Sequence, residues 1–306
     1  MADEIILHHY DNSPFSEKVR LQLGIKGLAW RSVIQPTIMP KPDLTPLTGG
    51  YRRIPVMQVG ADIFCDTQVI MAEIERRAPT PRTISGADWA VNLWADRLLF
   101  QPTVAIIFGA IGHLVPKAFI EDREKMSGGR AFNTAGMQAA GPSMKGQYRA
   151  MTAWLEQGLS GGAQWLSGDA PGLTDMAAYM NFWFMRSALA SELPKLLTGF
   201  PLVTAWIERV KGLGHGTRSE MTTADAIAEA RAADPVAAGV THDPADSLGA
   251  AVGAPVFVMA DDYGSDRIDG RLVAANAQRI VLVREDPRVG AVNVHFPRAG
   301  YVAMPA

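Results

Sequence analysis

Apolar positions along the chain change their spacing twice, and each change marks a new kind of structure. Ile5-Ile6-Leu7 is a short continuous run, Trp30–Ile34 alternates, and Ile54–Val59 and Ala61–Cys65 flank Gly60. Short β-prone runs bounded by turn residues predict strands over Ile5–His8 and Trp30–Ile34, and a hairpin over the last two. Val19, Leu21, Leu23 and Ile25 predict a helix over about 14–26. Asp66-Thr67 opens a second helix, Gln68–Arg77, which Ala78-Pro79 closes. A loop rich in Pro and Gly fills 36–50. Strand-helix-strand followed by hairpin-helix predicts a small mixed sheet with helices on both faces.

From Ala87 to about Ala233 the spacing is helical. Trp89, Leu93, Asp96 and Leu99-Phe100 belong to one long helix, and a polar, glycine-containing stretch at 121–143 reads as a connection. Helices are expected from Met144 to Gln157, over Met176–Leu189 after Gly172-Leu173-Thr174-Asp175, over Pro201–Lys211, and last over Thr222–Ala233. After about 236 five β-prone segments follow: Val256–Met259, Ile268–Ala274, Arg279–Val283, Ala291–Phe296 and Tyr301–Met304. They predict a small meander or barrel. It is short for an independent core, so it is expected to pack on the helical segment or on a partner subunit. The expected divisions are 1–80, 87–234 and 240–306.

Composition narrows the class. The 306 residues are 48% hydrophobic and 20% charged, with a net charge of −2 and no basic stripe. Nucleic acid is therefore not an expected partner. Val104–Gly112 is too short to span a bilayer and reads as a buried helix, so no membrane is expected either. Met1-Ala2-Asp3-Glu4 is acidic where a signal peptide would be basic, which leaves a cytoplasmic location as the expectation. The single cysteine, Cys65, excludes an internal disulfide framework and a cysteine-based zinc site. It ends an apolar run and is expected to be a buried, inert thiol, and no metal site is expected.

The candidate chemistry begins at Tyr10-Asp11-Asn12-Ser13-Pro14-Phe15-Ser16. Pro14 suits a first helical position and Ser13 the N-cap, which puts a hydroxyl at the positive end of a helix dipole. That arrangement is ordinary capping, and it also holds an anion such as a thiolate. Tyr10 and Ser16 are alternative hydroxyl donors, while His8 and His9 read as polar strand residues. Pro55 opens a strand after Arg52-Arg53-Ile54. Asp66 and Thr67 cap a helix, where a hydroxyl and free N–H groups can also take a carboxylate.

Taken in order, these motifs resemble the cytosolic-type glutathione transferases with a serine at the active site, over roughly residues 4–211. The resemblance rests on Ser13-Pro14-Phe15-Ser16, Arg53-Ile54-Pro55-Val56, Cys65-Asp66-Thr67 and Leu166-Ser167-Gly168-Asp169-Ala170-Pro171 leading to Asp175. It implies a thioredoxin-like N-terminal domain, an all-helical second domain and, here, a small extra β-rich C-terminal domain. It implies glutathione as co-substrate, held by Pro14, Phe15, Arg53, Ile54, a cis Pro55, Asp66 and Thr67, with Ser13, Tyr10 or Ser16 at the sulfur. It also implies a homodimer. Gly172 departs from the hydroxyl residue usual at that cap, and the segment after 236 has no counterpart in the two-domain family.

A thiol titrates near ~8.5, and ionising it near neutrality needs about 3 kcal/mol of differential stabilisation. One hydroxyl donor to an anion gives about 1.5–3 kcal/mol, and a helix N-terminus adds about 0.3–2 kcal/mol. Serine at 13 and 16 cannot form mixed disulfides as cysteine would. The expected reaction is therefore conjugation of the thiolate to a hydrophobic electrophile, with peroxidase or isomerase side activity. Phe15, Trp94, Leu98, Phe108 and Phe132 are the candidate apolar wall. The alternatives are a non-catalytic glutathione-binding or structural protein of the same fold, and a glutathione-dependent disulfide oxidoreductase.

Overall fold

The structure, a computed structural model, describes residues 4–306; the start of the acidic Met1–Glu4 stretch lies outside them. The first unit contains β1 (Ile5–His9), α1 (Pro14–Ile25), β2 (Ala29–Ile34), a one-turn α2 (Thr45–Thr48), β3 (Val56–Val59), β4 (Asp62–Cys65) and α3 (Thr67–Arg77). β1 and β2 pair in parallel, whereas β1–β3 and β3–β4 are antiparallel. This is the thioredoxin-like arrangement. Alternation along β1 serves two cores: Ile5 and Leu7 pack with α1, α3 and the helical layer, and Ile6 packs with Val33 on the opposite face.

The helical layer follows as α4 (Asp88–Trp94), α5 (Phe100–Ile111), α6 (Lys117–Met126), α7 (Thr134–Gly158), α8 (Leu173–Ala188), α9 (Leu193–Leu196) and α10 (Pro201–Lys211). A wide π turn, Ala95–Leu99, joins α4 to α5. Asp88–Leu114 is thus one helical run of 27 residues, long and apolar enough to cross a membrane by length and composition. It packs against α7 and α8 by one face only: a third of its most apolar window is buried, and of Val104–Gly112, expected as a buried helix, only Ile106 and Ile107 are buried.

Most of the stretch expected as a loop over 121–143 is helical. Asn133 Oδ1 caps α7 by accepting the Gly136 N–H at 2.8 Å. A Cβ at Gly109 of α5 would lie 2.9 Å from the Met137 and Gln138 backbone, so glycine lets the two helices meet closely. Pro142 sits inside α7 without ending it. The polarity of 121–143 marks a solvated face, and tertiary packing overrides it.

After α10 the chain returns to the first unit. β5 (Thr217–Glu220) pairs in parallel with β2, and α11 (Thr223–Ala232) covers the face below. The spacing grouped this helix with the helical segment, but Ala226 packs with Ile6 and Val33, and Gln58 Nε2 donates to its carbonyl at 2.8 Å. β6 (Pro255–Ala260), β7 (Ile268–Ala275), β8 (Arg279–Asp286) and β9 (Gly290–Pro297) form the expected meander, and β10 (Tyr301–Pro305) returns to pair with β6. The five strands curl around Val256, Leu272, Ile280, Leu282, Val294 and Phe296.

This β-rich segment was expected on the helical segment or on a partner subunit. Its main attachment is elsewhere: β9 runs parallel to β4, making one ten-stranded sheet in the order β10-β6-β7-β8-β9-β4-β3-β1-β2-β5. The physical reason is the outer edge of β4, whose unpaired backbone groups need partners. Asp62 locks the seam. Its carboxylate accepts from the N–H groups of Val236 (2.8 Å) and Ala237 (2.9 Å), from Asn293 Nδ2 (3.2 Å) and from His295 Nε2 (2.8 Å). Burial raises the Asp62 carboxyl, but His295 and these donors outweigh it and hold the group below its ordinary value. Burial also lowers His295, so a neutral imidazole faces the carboxylate.

Asp62→Ala strands four donors in the seam and is expected to cost about 3–5 kcal/mol. Chemical denaturation should show a lower midpoint for Asp62→Ala, with Asp62→Asn falling between the two; an unchanged midpoint would remove Asp62 from this role.

Candidate active site

Ser13 is the N-cap of α1, in extended conformation, and its Oγ accepts the Ser16 N–H at 3.1 Å. Its own N–H donates to the Tyr10 carbonyl at 3.1 Å, which closes the turn. The Ser13 hydroxyl and Arg123 of α6 both act on the Tyr10 phenol and pull it down. Burial pushes that phenol above its ordinary value against the pull of Arg123, so Tyr10 keeps its proton and can donate. Ser16 Oγ is sealed from solvent and has no hydrogen-bond partner among the described residues. Of the three candidate hydroxyls, Ser13 is the one that caps the helix N-terminus.

The facing walls come from β3, β4 and α3. The Ile54–Pro55 peptide is cis. Asp66 has φ 90°, ψ 141°, a region that favours glycine, and there its Oδ1 caps α3 by accepting the Gln68 N–H at 2.9 Å. Asp66 Oδ2 accepts from the Tyr301 hydroxyl of β10 at 3.0 Å, and Tyr301 also meets the Tyr51 hydroxyl at 3.1 Å. The Thr67 hydroxyl and N–H have no partner among the described residues. Arg52 pairs with Asp122 of α6, and Arg53 with Asp262 in the turn after β6. Both arginines flanking the proline are thus engaged by later parts of the chain.

Helix α6 ties to this group of residues from one side. Asp122 accepts the Met39 N–H at 3.0 Å as well as Arg52, while Arg123 donates to the Thr37 carbonyl at 3.2 Å and lies over the Phe119 ring at 4.3 Å. Beside it runs a half-buried array of phenylalanines. Phe15 meets Phe100 edge-on (4.9 Å), Phe100 stacks on Phe184 (6.2 Å), and Phe108 touches Phe184, Phe119 and Phe132. Phe15, Phe108 and Phe132 thus fall together. Trp94 instead pairs with Trp154, and Leu98 is 56% exposed.

Several participants carried no separate signal in the sequence. Lys18 is fully buried and donates to Asn92 Oδ1 and Asp96, each at 2.7 Å, where the wide turn brings Asp96 toward α1. Arg123 sat in the stretch read as a connection, although Phe119 and Arg123 at i,i+4 have helical spacing. Tyr301 and Asp262 belong to the β-rich segment and reach the site only through the sheet. Cys65 is fully buried, and burial pushes its thiol well above the ordinary value, the opposite of an activated nucleophile.

A family model described as the glutathione S-transferase N-terminal domain matches residues 7–82, and one for the C-terminal domain matches 137–209. A solved GST-like protein from Pseudomonas syringae is 34% identical over 99% of this chain and 100% of its own, with a TM-score of 0.80. The chain belongs to the glutathione S-transferase family. Two other similar structures cover less of the chain. A Tau class enzyme from mango (Mangifera indica) is 14% identical, covers 70% of this chain and 94% of its own, and has a TM-score of 0.53. A beta-etherase from Sphingobium is 15% identical, covers 70% and 98%, and has a TM-score of 0.52. The Pseudomonas protein matches through the extra strands as well. No curated protein matches the chain.

One departure from the family pattern has a geometric cause. Asp175 accepts the N–H groups of Leu166 (2.8 Å), Ser167 (3.1 Å) and Gly172 (3.1 Å), and also Trp206 Nε1 (2.7 Å). A Cβ at Gly172 would stand 2.7 Å from Ser167 Oγ and 2.9 Å from the Thr83 carbonyl. There is no room for the hydroxyl residue usual at this cap.

His8 and His9 are structural. His8 bonds to Gln58 (2.9 Å) and Gln35 (3.1 Å), and His9 to Ser32 (3.0 Å) and Arg20 (3.1 Å). Burial lowers His8 from 6.5 to about 4, and burial with Arg20 lowers His9 to about 3. Because the folded values are depressed, their stabilisation is complete above pH 6.5 and is lost as pH falls through about 4 and then about 3. Asp96, raised by burial, runs the other way as one group. Thermal unfolding is expected to show a melting temperature that falls steadily from pH 6.5 toward 4, with His8→Gln flattening the fall. A flat profile across that range would contradict the assignment.

Proposed function

We propose that the protein is a glutathione transferase that joins the thiol of its co-substrate to the electrophilic carbon of a hydrophobic molecule. The observation that supports it most directly is Ser13, which caps the N-terminus of α1 with its Oγ, with the Tyr10 phenol and the Arg123 guanidinium close enough to influence one another. Hydroxyl donors, a helix dipole and a cation together favour the ionised form of a sulfur placed there.

The surrounding groups fit the tripeptide. Among the described residues the Thr67 hydroxyl and N–H have no partner, at the N-terminus of α3, where a carboxylate is stabilised. The neighbouring Asp66 offers a carboxylate for an ammonium. The Ile54 peptide, before the cis proline, has no partner for its N–H and C=O among the described residues and suits the backbone of an extended ligand. When bound, glutathione supplies the sulfur nucleophile. Ser13 would donate to the sulfur, Tyr10 and Arg123 would reinforce it, and the phenylalanine array would hold the apolar body of the electrophile. Serine at 13 favours conjugation over disulfide exchange. The family reading carries with it a cytoplasmic homodimer.

One observation favours a second reading, a glutathione-binding protein of this fold without turnover. Ser13 is 1% exposed, so its hydroxyl is closed to solvent and to a ligand in this structure. Ser13→Ala is expected to lower kcat/KM with a chromogenic aryl halide about 10- to 100-fold and to raise the apparent pKa of bound thiol by about one unit. Thiolate absorbance in the ultraviolet reads the second quantity. Binding of glutathione without thiolate absorbance would favour the second reading, and unchanged turnover in Ser13→Ala would transfer the donor role to Tyr10.

A further inference from the structure

We infer that the β-rich extension completes the binding site through Tyr301, a positioning residue that sets the Asp66 carboxylate to receive the ammonium group of glutathione. This rests on the functional reading above and adds to it a residue from outside the two domains that the family models match.

The argument starts from the register. β9 and β4 are parallel, with Asp62 opposite Asn293 and Phe64 opposite His295, so their C-terminal ends emerge on the same side. β4 leads straight into Asp66, and β9 leads into the turn Arg298-Ala299-Gly300. Tyr301 follows that turn, and its hydroxyl donates to Asp66 Oδ2 at 3.0 Å. The Tyr51 hydroxyl lies 3.1 Å from the Tyr301 oxygen. With Tyr301 donating to the carboxylate, Tyr51 donates to Tyr301, giving a chain of two phenols that ends on one carboxylate oxygen.

Both phenols keep their protons. Burial comes first, the Asp66 charge adds to it, and together they push each well above its ordinary value. Asp66 Oδ1 is held at the same time by the Gln68 N–H. A carboxylate fixed at both oxygens, on a backbone at φ 90°, has one orientation to offer a ligand. The same turn adds a further tie, from Gln68 Nε2 to the Ala299 carbonyl at 3.2 Å. Arg53, beside the cis proline, is held by Asp262 from the next turn of the extension.

The test is isothermal titration of the full chain with glutathione and with its des-amino analogue, in which hydrogen replaces the γ-glutamyl amino group. Tyr301→Phe is expected to weaken glutathione about tenfold, while wild type and variant bind the analogue alike. In steady-state assays the KM for glutathione should rise by the same factor, with kcat within about twofold. Tyr51→Phe keeps the Tyr301–Asp66 bond, and it should give a smaller loss of the same selective kind even if Tyr301→Phe folds poorly. Equal glutathione affinity in the wild type and both variants would overturn the proposal, as would losses of equal size for the two ligands. Absence of glutathione binding by the wild type would remove the functional reading itself, a different result from either.

Discussion

A buried carboxylate must find partners, and Asp62 finds all of its own across a seam between distant parts of the chain. Two backbone N–H groups come from the segment after α11 and two side chains from β9. The edge of β4 would otherwise expose a row of unpaired amides and carbonyls. Pairing with β9 satisfies them, and the Asp62 cluster sets the register at which it does so. Everything beyond that seam depends on this register: a slip of one residue would turn Val294 and Phe296 out of their core and carry Tyr301 away from Asp66.

The opposite edge is treated in the same way. β5 covers β2, held by the Trp30 Nε1 bond to the His215 carbonyl (2.8 Å) and by Arg218 against Asp11 (2.7 Å). A four-stranded thioredoxin-like sheet thus sits in the middle of a ten-stranded one, with both of its natural edges occupied. The site lies where β4, α1 and α3 meet, and it acquires walls from two directions. Helix α6 brings Asp122 and Arg123 from the helical layer, and the extension brings Tyr301 and Asp262.

What could be read from the sequence was local. Ser13-Pro14 predicts a capped helix because the cap and the first helical position are adjacent, and Asp66-Thr67 does so for the same reason. Gly60 marks the hairpin because the turn chemistry is in the residue itself. The meander of the extension was visible from its spaced β-prone runs, but its attachment was not. The pairing of Phe64 with His295 joins residues far apart, and nothing in either run specifies the other. Helix α6 and the first half of α7 were hidden for a different reason: their polar residues dominate the pattern, and the close approach of α5 and α7 depends on Gly109. Nothing local in Tyr51 or Tyr301 points to the other; only the sheet brings their hydroxyls together.

The parallel seam between β4 and β9 also has a consequence in time. A ribosome releases the N-terminal strands long before β9 has been made, so β4 leaves the exit tunnel with an open edge and a charge that lacks its donors. The first unit therefore cannot reach its final form as it is synthesised; it waits for β9 (Gly290–Pro297). Long-range pairing of this kind slows folding and prolongs exposure of an unpaired strand. The extension that shapes the site is thus also the step on which completion of the nascent protein depends.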